Sequence, residues 1–409
     1  GKFQFKASEG YVDTDWQRQA FKTAPSVMAD ISATGGNEST KYFASASYNN
    51  QDGILVGNNF ERFSGRLNLD SKLNSWIDMG LNMSLSRSFI GQVTSDNAFS
   101  TPIQLVALAP ITPIRNKDGV LYDTPVTTYY NGLIDTEDAI RNLVNNRTFA
   151  NGTLSFKLAE GLKWRNELGF DLLNLKENGY WTPRTETGRA TGGSGFANYG
   201  ETQNIVGKSY LTYDKVFGKI GLNAVAGTEL QKTEIDRANV TGIRFPTEDL
   251  KTIASAAEIQ SGTSNFTNFS FISYFSRFNF DYLGKYLFTI AGRVDGSSRF
   301  GVNNRYGFFP ATSVGYVLSE ESFLKDSDLI SFLKLRASYG RTGNAAISNF
   351  GHLGLYGSAS YNNQPGIRPT QIANPDLQWE KTDQIDIGID FGFLNNRISG
   401  EIDFYNKNT

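Results

Sequence analysis

The only histidine, His352, is the first residue to test for acid–base or metal chemistry, because imidazole titrates near neutral pH and readily ligates metals. It lies in the glycine-rich stretch GHLGLYG, in a chain with no cysteine, and no spaced carboxylate pair accompanies it. It therefore reads as a solvated or structural loop residue. No GxSxG elbow, HExxH helix or P-loop occurs. RVDGSSRFG (Arg293 to Gly301) invites a phosphate nest, but a strand running into a tight loop explains it better. Five loop residues remain as candidate substrate-binding groups: Tyr129 and Tyr130 in the first long loop, and Tyr180, Trp181 and Arg184 in the second. Exposed loop rings can stack on sugars or grip peptide side chains. Packing the loops together is the competing role. No catalytic residue, metal or cofactor is expected.

The elements that must carry these loops are strands. Gly contributes 41 residues, Phe 30 and Tyr 19 against three Met, which favours strands and turns over helices. A net charge of -2 without a basic stripe gives no reason to expect nucleic-acid binding. No apolar run is long enough for a membrane-spanning helix. The clearest strand is Gln384 to Phe391, where Ile385, Ile387, Ile389 and Phe391 alternate with Gln384, Asp386, Gly388 and Asp390. After the turn Leu394 to Arg397, Ile398, Ile402 and Phe404 continue the apolar face against Ser399, Glu401 and Asp403.

The same hairpin recurs along the chain. Residues 1–24 show no sustained alternation and read as a connecting segment, with a short helical turn at Thr14 to Phe21. From residue 25 to 409, period-two patterning predicts about 14 strands. Turns within hairpins are mostly short. The long connections are expected at Ser88 to Asn146, with a short helix near Ile103 to Ala109, and at Asn174 to Asn204, Lys232 to Asn265 and Gly340 to Gln378. Short turns on one side and long loops on the other suit an outer-membrane barrel, turns periplasmic and loops outside.

The two faces of the strands differ in a way lipid requires. Within the alternating stretches so assigned, such as Phe63 to Leu69 and Ile77 to Leu85, no Asp, Glu, Lys or Arg falls on the apolar face, whereas Arg62, Arg66, Lys163, Glu167, Arg277, Arg336 and Asp386 fall opposite. A basic residue toward lipid near the midplane costs about 2–4 kcal/mol. Trp76, Trp164, Tyr213, Tyr282, Tyr286 and Phe393 gather beside the short turns, as an interfacial girdle would. A soluble sheet with one buried face is the alternative, but with this many strands it should contain some that are apolar on both faces.

NPDLQWEKTDQIDIGIDFGFLNNRISGEIDFYNKNT (Asn374 to Thr409), YFASASYNNQDGIL (Tyr42 to Leu55), ERFSGRLNLDSKLNSW (Glu61 to Trp76), RVDGSSRFG, FFPATSVGYVLSEESFL (Phe308 to Leu324) and LRASYGRTGN (Leu335 to Asn344) span most of the chain. Together they resemble the SusC/RagA-like TonB-dependent transporters of the outer membrane of Bacteroidota. The resemblance implies an all-β, antiparallel, up-and-down transmembrane β-barrel of about 22 strands around an N-terminal plug. About 14 of those strands would be present, with the plug, the TonB-binding segment and the last strands lying outside this sequence. It further implies import of oligosaccharides or peptides across the outer membrane, with a SusD-like surface lipoprotein capping the barrel, the TonB complex acting through the plug, and outer-membrane lipid around the wall. A non-transporting surface β-protein, as adhesin or glycan binder, and a passive porin are the alternatives.

Overall fold

The structure is a computed structural model that describes residues 12–93, 103–123, 130–325, 327–362 and 364–409. In chain order its strands are β1 (Ser26–Gly36), β2 (Thr40–Asp52), β3 (Asn59–Lys72), β4 (Ile77–Gly91), β5 (Ala139–Ala159), β6 (Leu162–Trp181), β7 (Ser194–Phe217) and β8 (Ile220–Ile243). There follow β9 (Glu258–Tyr282), β10 (Tyr286–Ser297), β11 (Tyr306–Val317), β12 (Ile330–Asn344), β13 (Leu355–Tyr361), β14 (Gln364–Gln371), β15 (Glu380–Phe393) and β16 (Ile398–Asn408). Among the described residues the short α-helices are α1 (Trp16–Ala20), α2 (Leu133–Asp138) and α3 (Glu186–Arg189).

Fourteen strands form one antiparallel sheet in chain order, β1 to β12 and then β15 and β16. β1 and β16 are its two edges and do not pair with each other, so the sheet is not closed. This is the expected up-and-down barrel wall. Among the described residues no separate plug domain is present. The hairpin β13–β14 stands apart from the sheet, inside the connection expected to be a plain loop.

The tight turns have local causes. Between β3 and β4 the Asn74 side chain accepts the backbone N–H groups of Trp76 and Ile77 at 2.9 and 2.8 Å, an Asx turn. Between β5 and β6, Gly161 takes φ +75°, and a Cβ there would lie 2.3 Å from the Asp214 carbonyl oxygen. Leu394, Asn395 and Asn396 all take positive φ in the turn before β16.

Register makes the outward face continuous. Ala44, Leu67, Met83, Ala150, Phe170 and Ile205 lie opposite one another from β2 to β7. Leu222, Phe280, Phe288, Val314, Ala337, Ile387 and Phe404 do the same from β8 to β16. No protein covers this belt: Leu168 is 63% exposed and Ile387 54%. A soluble sheet would bury such a surface, whereas a barrel leaves it to lipid.

Two of the expected loops are corrected by the structure. Much of Asn174 to Asn204 and of Lys232 to Asn265 is strand, because β6 to β9 continue past the belt and reach 20 to 25 residues. About 10 residues suffice to cross the apolar layer. The extensions were invisible to alternation because both of their faces meet water or loops: β9 from Glu258 to Asn265 is exposed throughout.

Buried cores are small and lie within the loops. One joins Trp16, Ala20, Leu105 and Leu108. There α1 docks onto the first long loop, with Trp16 Nε1 donating to the Ala109 carbonyl at 3.1 Å. The expected short helix in that loop is a 3-10 turn, Ile103–Ala107.

Candidate functional site

Three regions bear on function: the inward face of the sheet and two clusters in the long loops. The inward face alternates with the apolar belt by the same pleat and carries fixed charge of both signs. Arg336 sits between Asp390 and Asp403 at 3.0 and 2.7 Å, and Lys334 reaches Asp390 at 3.4 Å. Glu229 takes Lys208 and Arg293 at 3.1 and 3.2 Å. Arg62, Lys163 and Arg277 make no ion pair or hydrogen bond among the described residues. A wall of this kind holds water and presents fixed charge of both signs to a solute. No group of three or more potential metal-ligating side chains occurs among the described residues.

The first loop cluster brings together four of the five candidate residues. Tyr129 lies outside the described residues. The Tyr130 hydroxyl lies 3.3 Å from the Arg184 carbonyl and 3.4 Å from Asp135 Oδ1. Burial, together with the Asp135 charge, pushes that hydroxyl far above the usual tyrosine range. Arg184 Nη1 pairs with Asp138 Oδ2 at 2.9 Å, yet burial outweighs the guanidinium and holds the Asp138 carboxyl above its ordinary value. Strand pairing sets Tyr180 opposite Ile140, two residues beyond Asp138.

The rings themselves are covered. Tyr180 is 2% exposed and stands edge-on to Phe245 with centroids 4.9 Å apart, and Trp181 is 9% exposed against Phe196. Thr185 closes the segment by capping α3: its Oγ1 accepts from the Gly188 N–H at 3.0 Å and donates to the Thr182 carbonyl at 2.7 Å. What faces outward is Arg184, whose side chain is 38% exposed. Any ligand reaching this cluster as it stands meets the guanidinium before the rings.

The second cluster was missed as a unit. Phe300, Phe309, Ala345 and Trp379 form a buried core, with Phe300 and Trp379 centroids 5.0 Å apart. The Arg299 guanidinium lies 3.9 Å over the Phe269 ring and donates to Asn349 Oδ1 at 2.7 Å and the Ala345 carbonyl at 2.8 Å. His352 Nδ1 is 3.0 Å from the Arg299 carbonyl. The histidine is thus part of a clamp between loops. Residues 296–301 contain no positive φ, so RVDGSSRFG lacks the alternating backbone of an anion nest and acts as the tight loop that delivers Phe300. The signal available in sequence was a run of aromatics at unrelated positions, which no local period reveals.

Residues 109–409 match the family profile described as TonB dependent receptor-like, beta-barrel. The chain is 32% identical to TonB-dependent receptor P3 of Formosa agariphila, covering 98% of this chain and 42% of the relative. It is 28% identical to TonB-dependent receptor SusC of Bacteroides thetaiotaomicron, covering 98% of this chain and 43% of that one. Among solved structures, the RagAB peptide transporter superposes with a TM-score of 0.85 at 27% identity, covering 97% of this chain and 45% of the other. The chain therefore spans less than half the length of the curated relatives it matches.

Proposed function

The chain belongs to the TonB-dependent receptor β-barrel family of the bacterial outer membrane, in its SusC/RagA branch, and from that premise we propose that it forms the wall and outer loops of a nutrient importer. The cargo is an oligosaccharide or a peptide. It passes a hydrated, charge-lined wall whose outer mouth is shaped by the two loop clusters. A SusD-like surface lipoprotein closes that mouth from outside, and the TonB complex supplies the work through a plug domain of the same polypeptide. The protein performs no bond chemistry. The observation that carries this reading is the two-faced sheet, with Leu222 to Phe404 in apolar register outward and Arg336, Asp390 and Asp403 paired inward. The similarity to SusC and to the RagAB peptide transporter supports the choice of cargo class and partner.

The test is uptake of labelled oligosaccharides and peptides by cells producing the full-length protein, with and without TonB and the neighbouring lipoprotein. Import that collapses without TonB is expected. Import that persists without TonB would mean a passive pore, and glycan adhesion without import would mean a surface binder. The five candidate residues enter as a proposal through Arg184: Arg184→Ala is expected to alter cargo preference without changing the amount of folded protein in the membrane.

A further inference from the structure

On the outward face of β1 to β4 the belt is not flat. A trough of about 710 Å³ runs there, lined by Ala29, Ile31, Ala46, Phe63, Gly65 and Leu85. Its floor is made by small residues in register, Ala46 opposite Gly65, with Ile31 and Leu85 as walls at the same level. A Cβ on Gly65 would meet nothing nearer than the Ser45 carbonyl oxygen at 3.9 Å, so the floor is open. Above it the rings of Tyr48 and Phe63 sit 4.7 Å apart.

Arg87 closes the outer end of the trough, opposite Phe63 on one side and Asn146 on the other. It is exposed and makes no hydrogen bond or ion pair among the described residues. The carboxylate sharing its face, Glu61, is engaged by the Tyr48 hydroxyl at 3.2 Å. The neighbouring Arg147 belongs to the inward face and is held by Asp171 at 2.8 Å. Arg87 stands ten residues along β4 from Ile77, beside the girdle residue Trp76. Ten tilted strand residues rise roughly 25 Å, the height of the apolar band. The guanidinium therefore lies at headgroup depth on the loop side, directly over an apolar slot.

We propose that this trough binds one phosphorylated lipid of the outer leaflet, an acyl chain along Ala46 and Gly65 and the phosphate on Arg87. A guanidinium matches phosphate oxygens in a two-pronged geometry, and methylenes gain by leaving contact with the loose lipid around them only where a slot fits them. With the Glu61 carboxylate on the same face engaged by Tyr48, Arg87 is, among the described residues, the cation left free at the outer end of the trough, which makes the site favour an anionic headgroup over a neutral one. The inference rests on the outer-membrane placement of the wall and not on transport, so a failed uptake experiment leaves it standing.

The test uses the full-length protein purified in mild detergent, titrated with phosphatidic acid and with diacylglycerol of the same chains, and followed by native mass spectrometry. Saturable binding of one phosphatidic acid is expected, with diacylglycerol bound at least about fivefold more weakly. Arg87→Gln should weaken phosphatidic acid by about fivefold, and Gly65→Phe should block it by filling the slot. Heat-modifiable migration on denaturing gels establishes that both variants are folded. Equal binding of the two lipids, or full binding by both variants, would overturn the site, as would displacement of the lipid by inorganic phosphate alone. A crosslink between copies through Ile31 would also overturn it, since the trough would then be a protein interface.

Discussion

The belt and the strand extensions above it are built from the same hydrogen-bonded ladder but obey different rules of sequence. The register of β8 with β9 runs unbroken in kind from Ile220–Tyr282 near the short turn to Ile243–Glu258 at the outer end, with one shift near Thr241. Within the belt each residue must choose between lipid and water, so Phe278 and Phe280 alternate with Arg277 and Asp281. Above the belt the two faces meet similar surroundings, and the segment Glu258 to Asn265 carries no alternation at all. Alternation thus reports the membrane and not the strand. Order in the outer half comes instead from the loop cores, where Phe300 and Trp379 or Tyr180 and Phe245 fix what the ladder alone would leave loose.

That contrast can be pressed by substitution. The largest effect is expected for Phe300→Ala, since the ring is fully buried; its loss should cost about 3–5 kcal/mol locally. Hydrogen exchange should quicken in residues 298–305 and 345–379 while the belt portion of β15 keeps its protection. Next comes Leu168→Arg or Ile387→Arg at mid-belt, expected to destabilise by about 2–4 kcal/mol when unfolding from bilayers is measured in denaturant. The same change in the extension, Thr263→Arg, should stay within about 0.5 kcal/mol. Between these two falls Thr185→Ala, which removes the α3 cap and is expected to cost about 1 kcal/mol, confined to the first loop cluster.

The smallest effect concerns pH. Asp138 has its folded pKa raised above the ordinary 3.8, burial outweighing Arg184. The folded loop therefore binds the proton more readily than the unfolded chain does. The burial cost is absent below the unfolded pKa and grows as pH rises through the window up to the raised folded value. Exchange in the Asp138–Arg184 region should accordingly speed up as pH rises through the range just above the ordinary carboxylate pKa, after correction for intrinsic rates. Asp138→Asn should flatten that dependence.

The belt was legible in sequence for the reason just given. Ile385, Ile387 and Ile389 had to alternate with Asp386 and Asp390, and counting such runs found all fourteen strands of the sheet. Strand length was not legible, because Asn198 or Thr263 in an extension looks like loop. The β13–β14 hairpin was hidden for a similar reason: both of its strands are short and largely exposed, and Gly357 and Pro365 interrupt the pattern. The five candidate residues were all picked from residue type; that Tyr130 meets the Tyr180–Arg184 segment was not legible, because it depends on a hydrogen bond across 54 positions. The Arg299–His352 clamp depends on contacts 46 to 53 positions apart, which no motif encodes.

The sequence from Gly1 to Thr409 contains no cysteine, so in the full-length protein, with any cysteine outside this stretch replaced by serine, single cysteines placed from Ser276 to Asp281 read β9 in intact outer membranes. A membrane-impermeant maleimide should label positions 277, 279 and 281, which face the water-filled interior, and leave 276, 278 and 280 protected by lipid. Uniform labelling of all six, or the opposite alternation, would contradict a wall with lipid on the Phe278 and Phe280 side and water on the other.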